Sequence, residues 1–77
     1  MAGFKELDVV RISRLLQPTR PFQGSEGVSR PPQVGDKGTI VIVYSGSVYG
    51  VESVASHGMT VWLADFAPEE LELVWTQ

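Results

Sequence analysis

Val34-Gly35-Asp36-Lys37-Gly38-Thr39-Ile40-Val41-Ile42-Val43-Tyr44 is the stretch that decides the fold of this chain. Its first five residues read as a tight turn, in which glycine relaxes the steric limit on positive φ and the Asp36 side chain can bond its own local backbone. Thr39 to Tyr44 then runs apolar on both faces, the pattern of a central strand covered on two sides.

The punctuation continues downstream. Ser45-Gly46-Ser47 makes a hairpin connection into a strand over residues 48–55, whose alternation places Tyr49 and Val51 on one face and Glu52 on the other. Ser56-His57-Gly58 supplies the next turn, and residues 59–66 form a fourth strand with Val61 and Leu63 opposite Trp62 and Ala64. Ala67-Pro68-Glu69-Glu70-Leu71 suits one helical turn, because proline is tolerated at the first position and carboxylates favour a helix N-terminus. Leu71, Leu73 and Trp75 alternate into a short closing strand, with Leu71 and Leu73 inward and Glu72 in water.

Upstream, residues 7–13 are rich in β-branched side chains with charges interspersed, which suits a half-buried first strand. A short helix including Leu15 and Leu16 is the rival, and Pro18 and Pro21 cut it off within two turns. Residues 14–33 have no apolar period and carry Pro18, Pro21, Gly24, Gly27, Pro31 and Pro32. Structureless connections beyond about 12–15 residues are uncommon in compact domains and are usually functional or disordered. Phe22 and Val28 are the side chains expected to anchor this loop, and Pro31-Pro32 stiffen its return.

Five short strands, a long loop after the first and a one-turn helix before the last give an all-β, single-domain architecture over residues 1–77 in the order of a small SH3-like barrel. A five-stranded OB-type barrel is the alternative, but it generally needs more chain between its third and fourth strands.

Several of these segments resemble a known family. Phe4-Lys5-Glu6-Leu7-Asp8-Val9-Val10-Arg11, Val34-Gly35-Asp36-Lys37-Gly38-Thr39-Ile40-Val41, Tyr49-Gly50-Val51-Glu52 and Leu71-Glu72-Leu73-Val74 are similar to the small bacterial domains of unknown function called DUF4926. The resemblance spans nearly all of the chain outside residues 14–33. It implies an SH3-like fold and no established activity. Ser53 departs from the aromatic residue such sequences usually carry after Val-Glu, and the loop is longer than theirs.

Size and composition limit what such a domain does. A chain of 77 residues buries only about 60% of its unfolded surface, which leaves little room for an enclosed active site. Without cysteine there is neither a disulfide framework nor a thiolate metal site, so a small core needs help from self-association, and a homodimer is expected. The N-terminus has no long apolar segment, and nowhere do about 18 apolar residues run together. A cytoplasmic protein is the simplest expectation. The net charge is −3, split into +2 over residues 1–32 and −5 over residues 33–77. Either a basic loop lies over its own acidic half or two patches of opposite sign face partners.

No catalytic, cofactor-binding or metal-binding constellation emerges. His57 is the only histidine and sits in a turn, whereas a metal wants three or four ligands. Ser56 or Ser53 beside it lacks the strained elbow and orienting group of a hydrolytic triad. Glu69, Glu70 and Glu72 look like paired carboxylates but read as helix-start and rim residues on solvated surface. Gly35-Asp36-Lys37-Gly38 lacks the spacing of a phosphate loop and leads into a strand. It also resembles the start of a KOW-type turn of RNA-binding barrels, against which stands the acidity of the second half.

The aromatic residues Phe22, Tyr44, Tyr49, Trp62, Phe66 and Trp75 outnumber what so small a barrel encloses. Exposed rings favour protein partners, including extended proline-rich segments. The expected function is therefore a non-catalytic protein-interaction module, with an immunity- or antitoxin-like protein as its narrower form. Arg14, Arg20, Phe22, Arg30, Tyr49, Trp62 and Trp75 are the candidate partner-binding residues. A small-molecule site with residues 14–33 as its lid is the alternative, and an RNA-binding barrel the second.

Overall fold

A computed structural model describes residues 3–76. Five antiparallel strands form one sheet: β1 (Val9–Ile12), β2 (Lys37–Ser45), β3 (Val48–Val54), β4 (Thr60–Phe66) and β5 (Leu71–Trp75), in the order β4-β3-β2-β1-β5. A one-turn 3-10 helix, Pro68–Glu70, with proline at its start and two carboxylates in its turn, delivers the chain to β5. The class is all-β, as the sequence predicts, and the connectivity is that of a small SH3-like fold. The sheet curls without closing, since β4 and β5 end it and do not pair with each other.

The core lies on the concave face. Val10 and Ile12 of β1, Ile40 of β2, Tyr49 and Val51 of β3, Trp62, Ala64 and Phe66 of β4 and Leu71 of β5 make one cluster, with Phe4, Leu15, Phe22 and Val61 packed at its margin. The two glycines of the launching turn have different duties. Gly35 has φ +97°, the left-handed region that the turn demands, whereas Gly38 is needed for close approach. A Cβ at Gly38 would stand 2.7 Å from Val51 Cγ1 and 2.9 Å from the Glu52 carbonyl, so β2 crosses β3 there only because the side chain is missing.

Two sequence expectations are corrected. β2 is central in the sheet, yet it is not covered on both faces: Ile42, Val43 and Tyr44 are 40%, 40% and 56% exposed. Register shifts between Ile40 and Ile42 and between Val43 and Ser45 break its alternation, and its far half runs out beyond the core. In β5 only Leu71 is buried. Leu73 and Trp75 are exposed: Leu73 still pairs in register with Val10 but sits on the outermost strand at the rim of the core, and Trp75 stands beyond the register shift at Val9/Val10.

Residues 14–33 form no named strand, but they are bonded to β4. Gln23 and Leu63 exchange both main-chain hydrogen bonds, at 3.0 and 2.7 Å. The Ser25 amide donates to the Thr60 carbonyl at 2.7 Å, and the Thr60 amide donates to Ser25 Oγ at 3.1 Å. The segment thus covers the outer edge of β4, where an open strand would otherwise invite another chain. Gly24 lets it approach, because a Cβ there would lie 2.5 Å from both Ser29 Cβ and the Val61 carbonyl.

Candidate protein-binding surface

Half of the predicted aromatic surface is core. Tyr49 and Trp62 are 2% and 0% exposed, so neither reaches a partner. Alternation puts Trp62 on the inward face with Ala64 and Phe66, and its ring lies 5.4 Å from that of Phe66. Tyr49 meets Phe4 edge-on at 5.4 Å, and its hydroxyl accepts the Phe4 amide at 3.3 Å. Trp75 and Tyr44 are the exposed rings, and Phe22 is half-buried against the core.

The predicted basic residues are also used internally. Arg20, within the loop, turns its side chain inward to 4% exposure and pairs with Glu70, which is 3% exposed. Its guanidinium donates to both Glu70 carboxylate oxygens, to the Gln17 carbonyl and to the Asp65 carbonyl at 2.8 Å, and stacks 4.4 Å over the Phe66 ring. Glu70 accepts in addition the amides of Leu16 at 2.8 Å and Ala67 at 3.0 Å. Glu70 is therefore not a residue of a solvated rim; it is the buried anchor at which residues 14–20 are latched to the 3-10 helix. Arg30 makes a two-pronged pair with Asp36 at 2.7 and 3.0 Å, and Asp36 also accepts the Gln33 amide at 3.0 Å and Trp62 Nε1 at 2.9 Å. Arg11 pairs with Glu72 at 3.1 Å. Only Arg14 of the candidate arginines stands exposed outside an ion pair. The charge polarity of the chain is thus largely consumed within it.

Electrostatics follow from these contacts. Burial alone would push the Glu70 carboxyl up. The hydrogen bonds from Arg20, Ala67 and Leu16 and the Arg20 charge outweigh it, holding the group below its ordinary value. Asp36 is lowered in the same way, its burial outweighed by Arg30, Trp62 and the Gln33 amide. So is Asp8, where burial is outweighed by the Thr76 hydroxyl at 2.6 Å and by Lys5. Each of these carboxylates is ionised at neutral pH and already filled with donors, which makes it a fastener. Among the described residues no group of three or more His, Cys, Asp or Glu side chains is placed to hold a metal ion. His57 stands exposed in its turn.

What remains open is apolar. A groove of about 370 Å³ is walled by Pro21, Phe22 and Gln23 of the loop, Ile42 and Tyr44 of β2, and Leu63 and Asp65 of β4. A second, of about 300 Å³, shares Asp65 as a wall and lies between Leu16, Val48, Phe66 and the Arg20–Glu70 pair. Sequence reasoning named Phe22 here and missed Ile42, Leu63 and Asp65. The apolar run predicts Ile42 covered, and nothing in the sequence marks the bulge that exposes it.

No family model, curated protein or solved structure matches this chain. These comparisons neither support nor oppose the expected likeness to DUF4926 domains. Among the described residues no helix is long and apolar enough to cross a membrane.

Proposed function

We propose that this domain is a non-catalytic protein-interaction module. The observation that carries the reading is the outer-face groove in which Phe22, Ile42, Tyr44 and Leu63 stand beside one another, while the buried carboxylates are saturated by structural donors. Aromatic and aliphatic side chains gathered in a surface groove are the usual anchors of protein contacts. An immunity- or antitoxin-like protein is the narrower form of this reading, and a toxin gene beside its own would select it. A cytoplasmic setting agrees with a small chain that carries no disulfide framework.

The lid alternative needs a segment free to swing, whereas residues 14–33 are bonded along β4 and latched at Arg20 and Arg30. The RNA-binding alternative needs clustered cations, and among the described residues only Arg14 and Lys37 lie outside ion pairs. Self-association belongs to the proposal as well. With β4 covered by the loop, β5 is the uncovered end of the sheet, and it presents Leu73, Val74 and Trp75, all 40% exposed or more.

Capture from cells of its source tests the main reading. The wild-type chain is expected to retain a specific protein that Tyr44→Asp, folded as judged by its thermal transition, does not. Retention of no specific protein, together with turnover of a small molecule by the purified chain, overturns it.

A further inference from the structure

We infer that the groove at Tyr44 recognises an extended segment of another protein through an arginine side chain flanked by an aliphatic residue. The inference rests on the protein-binding reading and names the chemistry of the partner. It begins at Asp65, which lines both grooves and stands opposite Gly50 in the β3–β4 register. Gly50 offers no side chain, and its place is taken from the neighbouring strand: a Cβ there would lie 3.2 Å from Ile42 Cβ and 3.5 Å from Tyr44 Cε2. The Tyr44 ring therefore lies over bare β3 backbone, on the same face as Asp65. The main-chain carbonyl of Asp65 holds Arg20, but among the described residues its exposed carboxylate has no ion pair and no hydrogen bond.

An unpaired carboxylate beside an exposed aromatic ring and aliphatic walls is the complement of a guanidinium. One face stacks on the ring, the fork pairs with the carboxylate, and the methylene stem lies along apolar surface such as Ile42 and Leu63. Lysine fits less well, since a point charge cannot stack and pair at once. The chain's own nearest guanidinium does not fill the place, because Arg20 is held by both Glu70 oxygens and lies over Phe66. In the adjoining groove, which Asp65 also lines, exposed Leu16 and Val48 offer an apolar seat for the neighbouring residue of the same segment.

A random linear peptide library displayed on phage and selected on the immobilised full chain tests this, followed by anisotropy titrations of synthetic peptides made from the enriched sequences. Enriched peptides are expected to share an arginine next to an aliphatic residue. Replacing that arginine by citrulline, or using Asp65→Asn or Tyr44→Ala protein, should weaken binding roughly three- to tenfold, while Arg14→Ala should not change it. Enrichment of peptides without a basic residue that still compete for this groove overturns the arginine assignment and leaves the protein-binding reading standing. Enrichment of no peptide, or affinities that ignore Asp65→Asn, also overturns it. Failure of the capture experiment in source cells would instead remove the broader reading.

Discussion

Glu70 stays charged inside the protein because four donor contacts converge on it, two from the Arg20 guanidinium and one each from the backbone amides of Leu16 and Ala67, so that each carboxylate oxygen accepts two. Truncating one partner of such a pair leaves the other charge buried and alone, which costs about 3–5 kcal/mol. Glu70→Ala should therefore unfold at much lower urea, and the double change Arg20→Met, Glu70→Leu should recover most of the loss. Equal midpoints for wild type and Glu70→Ala would contradict the latch. The lowered carboxyls also set an acid limit. Asp8, Asp36 and Glu70 titrate below their ordinary values of 3.8, 3.8 and 4.5 when folded, so the stability they contribute is present above those values and lost as pH falls through the lowered ones. The urea midpoint should be level from neutral pH to about 5 and fall below about 4; a level profile to pH 3 would refute this. At this scale alternation set Trp62 on the face opposite Val61 and Leu63 but did not say which face was inward, so Trp62, expected at a partner surface, proves to be core; nor was the partner of Glu70 legible, since Arg20 lies fifty residues away.

Elements show a similar division. The strands were legible because turn residues bound each apolar run and alternation sets its faces. The exposed half of β2 was not, because a bulge is a backbone event that the side chains Ile42-Val43-Tyr44 do not announce. Nor was the sheet-like course of residues 14–33, whose bonds to β4 come from the main chain of polar Gln23 and Ser25. That course makes a prediction. Gly24→Ala places a methyl group against the Ser29 Cβ and the Val61 carbonyl, and overpacking of this kind costs roughly 1–3 kcal/mol. Amide exchange should accelerate at Leu63 and Ser25 in that variant, with the β1–β2 amides little changed. Unaltered protection at Leu63 would mean that the loop does not cover β4.

For the molecule as a whole, the split of charge between the two halves of the chain proves to be mainly internal bracing through Arg11–Glu72, Arg20–Glu70 and Arg30–Asp36. The polarity was legible in the sequence; which cation meets which carboxylate was not. Association through β5 predicts a solution mass near twice 8.4 kDa by light scattering at micromolar concentration, returning to 8.4 kDa in Trp75→Glu. A wild-type mass of 8.4 kDa would exclude a stable dimer.

The central claim is that the outer-face groove meets another protein, and hydrogen–deuterium exchange of the full chain with and without its captured partner tests it most directly. Protection is predicted at residues 22–23, 42–44 and 63–65, in the walls of the groove, with no change in the Ser56-His57-Gly58 turn. Protection confined to other surfaces, leaving those three segments unchanged, would contradict the account.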